Sequence, residues 1–257
     1  MEDGHLYLIF NNSDTARSAE VTLAAAGHPE VWNPQDGSAA AVGTYQTDSS
    51  GTTLTLKFAP QELIPVVIRP AGSAAAAPRQ EKLSAEIPVD GWFDFRAEDT
   101  TQRPEIAWNF DQEQTGVWHS AALPLQVPER IPAGDWCQFG LATFSGLGHY
   151  TKKVSVTELP ADARVLLSLG RVAISAEVFV NGESAGLTYF EPYVLDVTRW
   201  IKPGENELRI VVANTLSNKM SQYQELAGNG LSMGGDIPER RISGLIGPVK
   251  LQIYTAK

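Results

Sequence analysis

The sequence predicts an all-β protein built as a small β-sandwich followed by a larger one. Apolar residues recur with period two almost everywhere. No segment keeps the i, i+3, i+4, i+7 spacing of an amphipathic helix beyond about two turns. A run of small residues bracketed by prolines divides the chain. Side chains alternate faces along a strand, so period-two segments read as half-buried strands of two-layer sheets.

In order along the chain, residues 5–70 give about five short strands, at 5–11, 18–24, 40–47, 52–58 and 63–69. Ala19, Val21 and Leu23 alternate with Glu20 and Thr22, and Leu54, Leu56 and Phe58 alternate with Thr53, Thr55 and Lys57. Residues 1–70 are therefore expected as one domain. Pro70-Ala71-Gly72-Ser73 through Ala77-Pro78 has no apolar face to bury, so residues 71–85 are expected as a linker. Residues 86–257 carry eight or more strand signals at the spacing of a sandwich or jelly roll. Among them, Leu208, Ile210 and Val212 share one face, and Val249, Leu251 and Ile253 another. Asn181-Gly182 predicts a two-residue hairpin turn, because both positions tolerate the positive φ it demands. Pro203-Gly204 predicts a second reversal. Trp92 and Trp200 read as core residues, while Trp108, Trp118 and Trp136 fall in irregular stretches as core plugs or exposed platforms.

Charge and cysteine content narrow the chemistry. Lys and Arg number 20 against 30 Asp and Glu, and the deficit divides equally between residues 1–70 and 71–257. Phosphate backbones need clustered cations, so nucleic acid is not expected as a partner. No window reaches the roughly 18 apolar residues of a membrane helix, so no membrane partner is expected either. Cys137 is the only cysteine, and His5, His28, His119 and His149 are dispersed, which leaves no zinc-ligand spacing. The opening Met1-Glu2-Asp3-Gly4 has neither the basic nor the apolar part of a signal peptide.

A series of motifs in the second part is familiar. Ser145-Gly146-Leu147-Gly148-His149-Tyr150 is followed by Val165–Val172, Ala176–Gly182, Leu195-Asp196-Val197-Thr198, Lys202–Asn206, Val212–Thr215 and Ser243–Val249. In that order they resemble the galactose-binding-like jelly roll attached to glycoside hydrolases. The nearest likeness is to the C-terminal β-domains of family 106 α-L-rhamnosidase-like proteins, followed by the sugar-binding domain of family 2 enzymes. Residues 1–70, with Trp32–Gly37, resemble the small β-domain that precedes the jelly roll there. The resemblance implies an accessory carbohydrate-binding region without the catalytic (β/α)₈ barrel, on which those families carry their carboxylates. It further implies a secreted or periplasmic parent protein, whose catalytic domain is the other expected partner.

Tyr189, Glu191 and Tyr193 lie between two strand signals, and Asn214, Tyr223, Arg240 and Arg241 flank or occupy a glycine-rich stretch. Flat apolar sugar faces stack on aromatic rings, and forked donors and carboxylates bind hydroxyls. These seven residues are the expected ligand surface. An enzymatic alternative, a small glycoside hydrolase in its own right, draws on Glu191, Glu225, Asp236 and Glu239 as carboxylates. A docking or scaffold module is the third reading. No cofactor is expected, though a structural Ca²⁺ held by Asp90, Asp94, Glu98 and Asp99 is a candidate.

Overall fold

The computed structural model describes residues 4–34, 37–70, 81–100, 107–109, 115–117, 126–221 and 240–256. It is a protein of antiparallel sheets with one short α-helix, Ser217–Met220, among the described residues. The first sandwich faces a four-stranded sheet, in the order His5–Phe10, Leu63–Arg69, His28–Trp32, Ala39–Ala41, against a three-stranded sheet, Arg17–Leu23, Gly51–Phe58, Tyr45–Asp48. Ile64, Val66 and Ile68 of one sheet meet Leu23, Leu54, Leu56 and Phe58 of the other, as their alternation requires.

Three features here depart from the sequence reading. The expected strand at 40–47 is two strands, Ala39–Ala41 in the four-stranded sheet and Tyr45–Asp48 in the three-stranded one, with Val42–Thr44 crossing between them. His28–Trp32 is a strand that apolar alternation did not reveal, because it holds Pro29 and the charged Glu30. Glu30 is nonetheless buried, with Arg69 Nε 3.2 Å and Trp32 Nε1 3.2 Å from its Oε2. The expected linker also ends early. Glu81–Pro88 is a strand paired with Lys250–Ala256, so residues 81–85 belong to the second sandwich. It is an exposed, charged edge strand with little apolar signal, a common device against edge-to-edge pairing.

The second sandwich is larger. One sheet has six strands in the order Arg130–Pro132, Trp92–Glu98, Leu147–Val156, Gly204–Ala213, Ser175–Val180, Glu183–Thr188. The other runs Val194–Asp196, Arg164–Ser168, Lys250–Ala256, Glu81–Pro88, and a short pair joins Arg171–Ala173 to Gly244–Gly247. Their inner faces form one core that shares no residue with the first. Trp136 is a plug in it, fully buried, and Trp200 packs against its edge. Trp92, expected in the core, is 57% exposed. It sits on the outward register of its strand, with Phe93 and Phe95 facing in.

The turns follow their chemistry. Val180 pairs with Glu183 across Asn181 and Gly182, whose φ angles are +53° and +89°. The Asn181 amide also donates to Trp200 O and to Asn206 Oδ1, both at 2.9 Å. Asp196 accepts from Thr198 N and Oγ1 and from Arg164 Nε at 2.8 Å, so it is a turn anchor. These bonds outweigh burial and hold its carboxyl below the usual range.

Candidate functional site

Strand register brings the candidate loops to one end of the large sheet. Leu147 pairs with both Ala213 and Glu98, Ser175 pairs with Ala213, and Ala176 pairs with Thr188. The strands therefore stop on one line. Segments after Glu98, before Leu147, after Thr188 and after Ala213 all leave at this end. Thr188 and Ala213 are two strand spacings apart, roughly 10 Å.

The expected ligand residues fall into two groups there. Tyr189 is 59% exposed and sets its ring edge-on to Phe190 at 5.0 Å. Glu191 is half-buried. Burial raises its carboxyl above the usual range, Arg171 opposes the shift, and Asp14 of the first sandwich adds to it. Tyr193, expected on a stacking platform, is a core residue at 7% exposure, and its hydroxyl donates to Ile174 O at 2.9 Å. Its ring completes the core where the chain crosses from one sheet to the other.

Asn214 belongs to the second group and carries a structural load. Its Oδ1 accepts from Gly146 N, and its Nδ2 donates to Phe144 O and Ser243 Oγ. Arg240 and Arg241 are exposed beside it. Tyr223, Glu225, Asp236 and Glu239 lie outside the described residues. Asn218 was not expected as a structural residue, yet it is buried and ties Arg241 and Ser243 to the short helix. Ser145 Oγ joins the cluster by donating to Thr215 O and accepting from Lys219 N. Sequence density of polar groups cannot separate such a staple from a ligand contact.

A cleft of about 890 Å³ opens on the other side of the 189–193 segment. One wall is Phe190, Glu191 and Trp200, and the facing wall is Trp32, Lys57 and Glu62 of the first sandwich. This size falls in the range of small-ligand sites, about 300–1,000 Å³.

Among the described residues, no three of the carboxylates proposed for Ca²⁺ (Asp90, Asp94, Glu98 and Asp99) come together. Asp94 pairs with Arg130 at 3.2 Å, Glu98 with His149 at 3.0 Å, and Asp99 with Lys219 at 3.0 Å. Asp94 and Glu98 share one strand four residues apart, roughly 13 Å at the rise of a β-strand. A Ca²⁺ ion holds its oxygens at about 2.3–2.6 Å, so those two cannot share one.

His149 is a titrating group at this end. Burial and then Arg96 hold its pKa below the ordinary 6.5, against the pull of Glu98. Arg209 adds to the lowering. The unfolded chain therefore takes up this proton first as pH falls. Stability is expected to be complete above about pH 6.5 and to decline below it. His149→Gln should flatten that decline in urea titrations between pH 5 and 7; an unchanged slope would refute the assignment.

Residues 148–241 match the family model described as glycosyl hydrolase 2 galactose-binding domain-like. The jelly roll is of galactose-binding-like type over that span. A "Putative beta-glucuronidase" of Formosa agariphila is 37% identical over 89 residues, which is 34% of this chain and 8% of that protein. The structure of a rhamnosidase from Novosphingobium sp. PP1Y superposes with a TM-score of 0.67 at 26% identity, over 99% of this chain and 23% of that one. The chain thus spans well under a third of either relative. The likeness to the rhamnosidase covers both sandwiches in order.

Proposed function

We propose that this chain is the accessory carbohydrate-binding region of a larger glycoside hydrolase, of the family 106 α-L-rhamnosidase type. The supporting observation is the likeness to a rhamnosidase over 99% of the chain, with the galactose-binding-like match inside it. In this reading the catalytic barrel belongs to the rest of the parent protein, outside these 257 residues. The ligand surface is the loop end, with Tyr189 as the stacking ring and Glu191, Arg240 and Arg241 as hydrogen-bonding groups. Tyr193 and Asn214 support it from behind.

Hydrolysis needs two carboxyl groups about 5–10 Å apart across the scissile bond. Of the four candidates only Glu191 lies among the described residues. The expected result is saturable binding of at least one neutral glycan by isothermal titration, with no release of aryl aglycone from a glycoside panel. Turnover that survives repurification and is lost in Glu191→Gln would overturn the accessory role.

Replacing Tyr189 with Ala should weaken glycan binding several-fold, since one stacked ring contributes about 0.5–1.5 kcal/mol beyond its buried area. The melting temperature should stay within a degree, because the ring is mostly exposed. A loss of stability without loss of binding would place Tyr189 in the scaffold.

A further inference from the structure

We infer that the cleft between the two sandwiches is an extended subsite for an uncharged oligosaccharide, so that the small sandwich supplies half of the binding site. This rests on the carbohydrate-binding reading and adds to it a site, a ligand class and a role for residues 1–70. The position comes first. Glu191 belongs to the 189–193 loop and also lines the cleft, so a chain of sugars stacked at Tyr189 can continue into it.

The lining then selects the ligand. Trp32, Phe190 and Trp200 offer rings from both sandwiches. Trp32 is fixed in place, with the Arg69 guanidinium 5.7 Å from its ring centroid and its Nε1–H donated to Glu30. A ring held in this way loses little freedom when a sugar stacks on it. The charges argue against an anion. Arg164 lies at the cleft but is engaged by Asp196 at 2.8 Å and Glu81 at 3.4 Å. Lys57 lines the cleft with Glu62 and Glu191, and Arg171 and Asp14 both act on Glu191, which leaves no excess of positive charge. A phosphate or uronate gains no net attraction from that set. Hydroxyls are served by both signs, as acceptors for Lys57 and donors to the carboxylates. Burial raises the carboxyls of both Glu62 and Glu191, so the surrounding protein already strips both of part of their hydration. Less water then has to be displaced for a hydroxyl to take its place.

The test uses a position that can be filled without disturbing the fold. Gly43 lines the cleft, and a Cβ built there meets nothing within 4 Å. Titration calorimetry would compare the full chain, Gly43→Trp and Lys57→Ala. The probes are neutral gluco-, xylo-, manno-, galacto- and rhamno-oligosaccharides of one to six rings, with oligogalacturonate as the charged arm. For the unaltered chain, affinity should climb with length over the first few rings and oligogalacturonate should bind more weakly. Gly43→Trp should remove that climb, lowering affinity for the longest ligand at least tenfold, and Lys57→Ala should lower it several-fold. Both variants should melt as the unaltered chain does. If the unaltered chain binds but Gly43→Trp keeps the same dependence on length, the cleft is not the subsite and the accessory role stands. Preference for the uronate overturns the ligand class. If no glycan binds at all, the cleft and the accessory role fall together.

Discussion

Trp136→Ala is expected to cost the second sandwich about 3–5 kcal/mol, the usual penalty for removing a large buried aromatic side chain. The side chain is fully buried. Its ring lies at 5.2 Å from Phe144 and 6.3 Å from Phe95 in edge-to-face contacts, and Phe95 continues to Tyr150 at 5.1 Å. Its Nε1–H donates to the Tyr150 hydroxyl, which also accepts from Leu245 N at 3.1 Å. Burial pushes the Tyr150 phenol up to about 12, so it stays protonated across the working range. Two glycines make room for the indole. A Cβ on Gly148 would stand 2.3 Å from the Trp136 ring, and one on Gly244 would stand 2.6 Å from it at a φ of +107°. Gly244→Val should therefore destabilise as well, by strain instead of by a cavity. The measurement is urea unfolding, followed by tyrosine fluorescence or far-ultraviolet dichroism so that the indole is not the probe. Trp136→Phe should recover much of the loss, because it refills most of the volume and gives up one hydrogen bond. A change below about 1 kcal/mol for Trp136→Ala, a third of the expected minimum, would mean that the indole does not organise this core.

That indole shows what sequence reasoning can and cannot supply. Gly148 and Gly244 stand in the motifs that signal the jelly roll, but the sequence alone does not say which ring they accommodate. Trp136 lies in an irregular stretch where a plug and an exposed platform look alike. Strand positions were legible wherever one face was buried, as in Gly51–Phe58 and Gly204–Ala213, because alternation records that burial directly. It failed at His28–Trp32 and Glu81–Pro88, where a buried ion pair and a solvated edge break the pattern. That the strands before the two loops end on the same side of the sheet was legible as well, from the alternation they share. Tyr193 was not. Adjacent aromatic residues in a crossing loop give no sign of which one turns inward. The cleft was beyond reach for a different reason. It depends on how two separately specified sandwiches sit together, and no local pattern encodes that.

Asn218→Leu is expected to lower both stability and, at temperatures where the fold is intact, glycan affinity. The side chain is 1% exposed. Its Oδ1 accepts from Arg241 N at 2.6 Å, and its Nδ2 donates to Arg241 O at 2.8 Å and Ser243 Oγ at 2.9 Å. Leucine preserves the volume and removes these three bonds together with the longer contact of Nδ2 to Cys137 Sγ at 3.9 Å. Arg241 O retains a bond from Ser243 Oγ, and Ser243 Oγ retains one from Asn214. The Arg241 N–H has no such substitute among these bonds, and a lost hydrogen bond of this kind costs about 0.5–1.5 kcal/mol. With the lost bonds to Ser243 and Arg241 O, the total should reach roughly 2–4 kcal/mol. At about 2–4 °C per kcal/mol for a unit of this size, the melting temperature should fall by several degrees. The effect on binding follows from position. Asn218 fixes the backbone of Arg241, and Arg240 precedes it, so freeing that backbone lets both guanidinium groups wander. Affinity should drop several-fold at 15 °C while the dichroism spectrum stays native. A double variant with Arg241→Ala separates the two effects. If Asn218 acts on the ligand through Arg241, Asn218→Leu should weaken binding less in the Arg241→Ala background than alone, while its cost in stability stays the same. Equal binding losses in both backgrounds would confine Asn218 to the scaffold. A melting temperature unchanged by Asn218→Leu would show that the staple itself is not formed.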